Sequence, residues 1–260
     1  MILDLSNKNL TSLEGIPLPD GLTKLNVSNN RLPSLPPLPP SLTELYCGQN
    51  CLSSLPPLPQ TLTYLSCYSN LLETLPPLPP SLAELSCSDN CLTSLPSLPS
   101  SIKKLYCYRN QLSSLPPLPS SLVMLYCGDN QLTSLPHLPS SLSDLACGCN
   151  LLSSFPPLPS SLKVLHCGSD RLLKALPSDA RNRLPKHYCY DNYLKPLEEL
   201  REIIQIDRLR LGLSIVSRLI LDRWVRNIQR LWRRYWLEPY FDPQLRYRVS
   251  RYLLHYKHEL

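Results

Sequence analysis

The sequence repeats itself every 20 residues, and this period constrains the fold more than any other feature. Residues 41–60 (SLTELYCGQNCLSSLPPLPQ) are followed by 61–80 (TLTYLSCYSNLLETLPPLPP) and by 81–100 (SLAELSCSDNCLTSLPSLPS). The shared unit is L-x-x-L-x-C-x-x-N-x-L-x-x-L-P-x-L-P, and such a period is typical of solenoids. With two less regular outer copies, at 3–10 and 184–194, the sequence predicts ten strand units.

Each column of the unit has a physical interpretation. The central leucine and the cysteine two residues later, such as Leu45 and Cys47, point the same way on a strand and are expected in the core. Asn50, where the strand ends, is expected to satisfy backbone groups of the turn. Because proline fixes φ and has no N–H, LPPLP predicts an extended polyproline-like return segment. Parallel strands about 4.8 Å apart would stack into a solenoid roughly 40 to 45 Å long.

The cysteine in nearly every repeat is interpreted as a packing ladder. Buried cysteine behaves largely as a small hydrophobe. Cysteines on in-register neighbouring strands have poor geometry for disulfides, and the total of 11 is odd. No C-x2-C pair occurs, so no metal site is predicted. Many reduced cysteines favour a cytosolic setting.

The units ending in LPxLP, with SLxxLxCxxN between them, resemble the LPX-type leucine-rich repeats of bacterial secreted effectors and of repeat proteins encoded by large DNA viruses. The resemblance covers about residues 1–195. It implies an α/β repeat solenoid with a parallel β-sheet on its concave face and an extended polyproline-like convex side. It also implies that the chain binds protein partners, often inside a eukaryotic host cell.

One enzymatic branch of that effector family carries a C-terminal ubiquitin ligase domain with a catalytic cysteine in a C-x-D setting. The sequence CYD occurs here at 189–191, but the repeat columns already account for Cys189 and Asp191, and residues 196–260 are too few for that domain. The sequence shows no other pattern in which a nucleophile is paired with a general base, and it has no phosphate-binding glycine motif. We therefore predict a non-enzymatic protein without a cofactor, and keep a ligase relative as the alternative.

Tyrosine is overrepresented at the strand positions that point away from the core. Tyrosine and arginine are favoured at interface hot spots, because they offer a large contact area with a polar tip. The alternative is that tyrosine merely suits a strand surface through cross-strand stacking. The predicted partner-binding residues are Tyr46, Tyr64, Tyr68, Lys104, Tyr106, Tyr108, Arg109, Tyr126 and His166.

After Pro196 the pattern becomes helical, with apolar residues advancing by threes and fours from Leu213 to Tyr235 among many arginines. We predict two domains, a solenoid over 1–195 and a basic helical C-terminal cap over 196–260, since an uncovered last repeat would expose its core. Of the net charge of +6, residues 1–195 carry +1 and residues 196–260 carry +5.

Two further interpretations of the tail stay open. A basic amphipathic helix would dock on an acidic partner or a membrane surface. The stretch IQRLWRR (228–234) resembles the start of a calmodulin-binding IQ motif, although Arg234 and Glu238 stand where that motif has glycine and a second basic residue. The candidate tail-binding residues are Trp224, Ile228, Gln229, Arg230, Trp232, Arg233 and Arg234.

Other partner classes are disfavoured by the sequence. No apolar run reaches 18 residues, so no transmembrane segment is predicted. The basic residues of the tail surround a helix with much apolar surface, which disfavours nucleic acid, and nothing indicates a small-molecule substrate. The final KHEL is close to a lumenal retention signal, but Asp4 and Lys8 interrupt any signal-peptide core, so a cytoplasmic location is predicted.

Overall fold

The computed structural model describes residues 1–167 and the strand at 186–188. The predicted helical cap, the IQ-like stretch with its tryptophans, and the CYD sequence at 189–191 lie outside the described residues. The fold below is therefore that of the repeat region.

Ten short parallel strands form one sheet, and they follow one another in chain order. Their bounds are β1 (Ile2–Asp4), β2 (Lys24–Asn26), β3 (Glu44–Tyr46), β4 (Tyr64–Ser66), β5 (Glu84–Ser86), β6 (Lys104–Tyr106), β7 (Met124–Tyr126), β8 (Asp144–Ala146), β9 (Val164–His166) and β10 (Lys186–Tyr188). The predicted ten strand units and the parallel solenoid are confirmed.

The register of the sheet follows directly from the 20-residue period. Leu45 of β3 pairs with Leu25 on one side and with Leu65 on the other, and the same leucine column continues along the sheet to Leu165 of β9. At the end, Leu165 is paired with His187 of β10. Because a one-residue slip would turn every leucine outward, burial of this column fixes the register.

The core is a single cluster built from the inward columns of the repeat. Leu45 and Cys47 are completely buried, as are Leu42 and Leu52 of the same unit. Val27 takes the place of cysteine in the unit of β2 and is equally buried. The prediction that the cysteines pack in the core is confirmed for every ladder position from Cys47 to Cys167.

The asparagine column ties each repeat to the one before it. Asn70 Nδ2 donates to the carbonyl oxygens of Cys67 at 3.0 Å and Cys47 at 3.1 Å, and its Oδ1 accepts from the backbone N–H of Leu52 at 2.9 Å. The same pattern is present at Asn50, Asn90, Asn110, Asn130 and Asn150. This confirms the predicted role of asparagine, which satisfies buried backbone groups on two successive turns.

Two features of the repeat were not predicted from the sequence. The serine or threonine that opens most units donates to a carbonyl of the preceding unit, as Ser81 Oγ does to Leu62 at 2.7 Å. The residue before each asparagine also has a left-handed backbone, with φ of 56° at Gln49 and 55° at Arg109. No glycine marks this position in any described unit, so composition gave no signal of it.

Candidate functional site on the outward face of the sheet

The candidate site lies on the outward face, defined as the strand side chains that point away from the leucine core together with the second and third residues after each strand. In β3 the central Leu45 is completely buried, whereas Glu44 and Tyr46 on either side are partly exposed. Successive strands place different residues at these positions, so this side of the sheet varies along the solenoid.

The first tyrosine pair consists of Tyr46 and Tyr64, whose rings stack with centroids 4.7 Å apart at an angle of 29°. Lys24 Nζ lies 4.5 Å from the Tyr46 centroid and 2.9 Å from Glu44 Oε2. The Tyr46 hydroxyl donates to Glu44 Oε2 at 3.0 Å. Burial, followed by the Glu44 hydrogen bond, raises the pKa of Tyr46, so its hydroxyl stays protonated and fixed in this network.

The Tyr68 ring lies directly over Gly48 of the preceding repeat. A Cβ at Gly48 would come within 2.5 Å of Tyr68 Cδ1 and Cε1, so only glycine permits this ring position. Ser88 occupies the equivalent place one repeat before Tyr108. Its side chain is completely buried, and its Oγ has no hydrogen-bond partner among the described residues.

The second tyrosine pair consists of Tyr106 and Tyr126, with ring centroids 5.1 Å apart at an edge-to-face angle of 65°. Tyr126 is only 7% exposed, so its ring mainly packs against Tyr106 and has little contact with solvent. The Tyr106 hydroxyl lies 3.9 Å from Met124 Sδ. Beside this pair, Lys104 Nζ forms an ion pair with Glu84 Oε2 at 3.1 Å.

Arg109 links three consecutive repeats. Its Nη1 lies 3.6 Å from Asp89 Oδ1 and its Nε lies 3.7 Å from Asp129 Oδ2, while the guanidinium carbon is 6.0 Å from the Tyr108 ring centroid. The side chain is only 13% exposed. The structure therefore places this predicted binding residue mainly within the face, where it lies between two carboxylates and beside Tyr108.

His166 is separated from the tyrosines. It lies on β9, and Ala146 of β8 stands between it and Tyr126 of β7. Burial lowers the pKa of His166, and the carboxylate of Asp144 partly opposes that effect. The structure thus brings four of the six predicted tyrosines together in two pairs but does not bring His166 to them.

The cysteines of the described residues fall into a buried set and a more exposed set. Burial raises the pKa of Cys67 and Cys127 to about 12, so these ladder thiols stay protonated and are poor nucleophiles. Cys51 and Cys149 are exposed. Within the described part of the chain, no group of three metal-ligating side chains is close enough to hold a metal ion. The same residues include no helix that could cross a membrane.

Sequence reasoning missed the pairing of a small residue with the tyrosine one repeat later. The signal was present, because Gly48 precedes Tyr68 by one period and Ser88 precedes Tyr108 by one period. It can be found only when the two repeats are compared as a pair, since neither residue is unusual in its own unit.

Comparison with known proteins found one matching family profile and several similar structures. A family profile described as Leucine Rich Repeat matches residues 21–41. The structure is similar to that of YopM from Yersinia enterocolitica WA-314, with 42% identity and a TM-score of 0.58. That match covers 60% of this chain and 34% of the YopM chain, so this chain spans about a third of its length.

Two other bacterial effector structures are similar over more of their length. The leucine-rich effector YopM from Yersinia pestis has 28% identity and a TM-score of 0.47, covering 72% of this chain and 76% of that one. A Shigella effector leucine-rich repeat domain has 31% identity and a TM-score of 0.45, with coverages of 70% and 72%. No curated protein sequence matches the chain.

Proposed function

We propose that this leucine-rich repeat solenoid is a non-enzymatic protein-interaction module that binds a partner protein on its concave, tyrosine-rich sheet. The observation that carries the proposal is the ordered arrangement of the two tyrosine pairs on the outward face. Solenoids of this kind offer extended curved surfaces to their partners.

The pairs have properties that favour binding. Tyrosine buries a large area at an interface and dominates hot spots. Because Tyr46 stacks on Tyr64 and its hydroxyl is bonded to Glu44, much of its rotamer freedom is already lost before a partner arrives. Association then costs less side-chain entropy, which increases the net affinity of a given contact area.

A location in the cytoplasm of a host cell belongs to the same proposal. It is supported by the similarity to bacterial effector repeat structures and by the many free cysteines of the described region. Seven of these thiols are buried in the ladder and do not depend on an oxidising compartment.

A second candidate function involves the tail. Residues 196–260 carry a net charge of +5, which favours an acidic protein or membrane surface, or a calmodulin-like partner at the IQ-like stretch. We propose that these residues form a separate basic unit that caps the solenoid or binds such a partner.

Affinity capture from eukaryotic cytosol tests the main proposal. The bait is the intact chain, and its variant carries Tyr46→Ala, Tyr64→Ala, Tyr106→Ala and Tyr108→Ala, which leave the buried Tyr126 in place. Loss of one specific partner from the variant, with an unchanged circular dichroism spectrum, is expected.

The matched control carries Leu71→Ala and Leu151→Ala, which remove exposed hydrophobic side chains, 56% and 66% exposed, that lie off the strands. This control should keep the partner. If the tyrosine variant captures the same proteins as the intact chain, the proposal is wrong, and deletion of residues 197–260 becomes the next test.

A further inference from the structure

We propose that the return segments 35–40 and 75–80 form a second binding surface, on which a partner domain docks through a groove lined by aromatic rings. Both segments have the sequence LPPLPP and lie off the strands that carry the outward face. The proposal therefore adds a second kind of partner to the proposed function. The exposure pattern, the proline spacing and the lack of charge in the two segments support it.

The two segments expose every third residue. The chain exposes residues 34, 37 and 40 around the first segment and residues 74, 77 and 80 around the second, whereas Leu35 and Leu75 are buried. Leu38 and Leu78, three residues further on, pack against the core. A polyproline II helix has three residues per turn, so this pattern is that of such a helix with one edge on the core. Its opposite edge, which carries two prolines in each segment, faces solvent.

The shape of each segment is set before a partner arrives. Four of its six residues are prolines, whose φ is fixed by the ring. The turn that follows is closed by a backbone hydrogen bond of 3.1 Å from Leu42 to Pro39 in the first segment and from Leu82 to Pro79 in the second. A ligand that is already ordered loses little entropy on binding.

The exposed prolines have the spacing that proline-binding domains recognise. Pro37 and Pro40 are three residues apart, which is one turn of roughly 9.3 Å along a polyproline II helix. SH3, WW and EVH1 domains dock PxxP segments of this kind in aromatic-lined grooves. At the place of Pro40, the segment 55–60 has Gln60 and the segment 115–120 has Ser120. Among the described return segments, the exposed proline pair is therefore complete only at 35–40 and 75–80.

The surface formed by these segments is uncharged. Neither of them contains a charged side chain, and the segment 55–60 between them contains none. A groove that binds this surface gains by burying apolar area and not by pairing charges. Binding should therefore change less than about twofold between about 50 and about 500 mM NaCl, because no ion pair is screened.

A panel of recombinant SH3, WW and EVH1 domains provides the probes for a direct test. Each domain is titrated with the full-length chain by isothermal titration calorimetry. We expect saturable binding by at least one domain, and competition by the acetylated and amidated peptide LPPLPP. The same domain with alanine in place of one aromatic residue of its groove should not bind, because the groove then loses a ring that packs on proline.

A matched pair of variants locates the site, and both are checked for folding by circular dichroism. Pro37→Ala with Pro77→Ala removes one proline from each complete pair and should weaken binding by about tenfold or more, since few residues carry most of the binding energy. Pro57→Ala with Pro117→Ala changes exposed prolines of the same repeat position in segments that lack the second proline. This control should change binding by less than about twofold.

A gain of binding tests the spacing itself. Ser120→Pro places a proline three residues after the exposed Pro117, at a repeat position where the two complete segments already have proline. Added to the variant that carries Pro37→Ala and Pro77→Ala, this substitution should restore binding, because it creates a new complete pair.

The proposal is overturned if no domain of the panel binds, if loss of the groove aromatic residue has no effect, if the two proline variants bind alike, or if Ser120→Pro restores nothing. Self-association of the intact chain that depends on Pro37 and Pro77, without domain binding, would identify a second copy as the occupant and also overturn it. The proposed function is tested separately, because its tyrosine variant keeps every proline and should bind the domain as the intact chain does.

Discussion

The inward columns of the repeat and its outward face follow opposite rules. From 41–60 to 141–160 every unit keeps the leucine, cysteine and asparagine of the inward columns, whereas the position of Glu44 becomes Tyr64, Glu84, Lys104, Met124 and Asp144 in successive strands. Burial imposes the same requirement on each turn of the solenoid, so the inward residues vary little. The outward face has no such requirement, and the proposed binding surface lies where its residues depart from the period.

The largest effect is expected from breaking an inward column at Asn70. Its side chain is 6% exposed, and its amide satisfies two carbonyls and one N–H of two repeats. Asn70→Ala leaves these buried groups unpaired, so we expect a loss of about 3 kcal/mol or more in the free energy of unfolding. Urea denaturation followed by circular dichroism measures it.

The matched control is Glu73→Ala, which changes an exposed residue of the same unit and should cost less than about 0.5 kcal/mol. Similar losses in the two variants would mean that the asparagine column does not connect the repeats energetically, and the contrast between inward and outward positions would fail.

The next effect concerns the ladder thiols at alkaline pH. Burial raises the pKa of Cys67 and Cys127 to about 12, from an ordinary value of 9.0 that applies to the unfolded chain. The folded chain therefore holds these protons where the unfolded chain releases them. The stability is full below pH 9 and falls as the pH rises from 9 towards 12, by about 1.4 kcal/mol per pH unit for each thiol.

The column itself supplies the control substitution, because Val27 is already buried in the cysteine place of its unit. A variant with Cys67→Val and Cys127→Val should lose stability less steeply between pH 9 and 10 than the unmodified chain, as measured by the urea midpoint. Tyrosine ionisation acts in both proteins alike and cancels in the comparison. Equal slopes would show that the ladder thiols do not resist ionisation.

The same contrast explains how much of the molecule could be predicted. The ten strands, the leucine register and the asparagine bonds followed from columns in which one residue recurs, because each repetition adds to the same signal. The tyrosine surface was predicted residue by residue, but its internal geometry was not. The Tyr68 ring lies over Gly48, and Arg109 lies near Asp89 of the preceding repeat. Each contact depends on two particular residues in neighbouring repeats, and neither pair recurs in the other units.

The left-handed residue before each asparagine shares a property with the inward columns and another with the outward face. Its positive φ recurs from unit to unit, as in the inward columns, whereas its residue type varies, as on the outward face. Gln49 has φ of 56° and an exposed side chain, so Gln49→Gly removes the steric cost of this backbone without removing a buried contact. Glycine also increases the entropy of the unfolded chain, so we expect a net stabilisation of only about 0.5 kcal/mol.

Gln111 provides the matched control for this smallest effect. It is also exposed and lies two positions further along its unit, where φ is not positive. Gln111→Gly should therefore destabilise the chain by about 0.5 to 1 kcal/mol, since glycine there only adds freedom to the unfolded state. Shifts of opposite sign in the two thermal midpoints would show that the repeat requires a left-handed backbone at this position, although no residue type recurs there to indicate it. Destabilisation by both substitutions would mean that the left-handed position carries no strain.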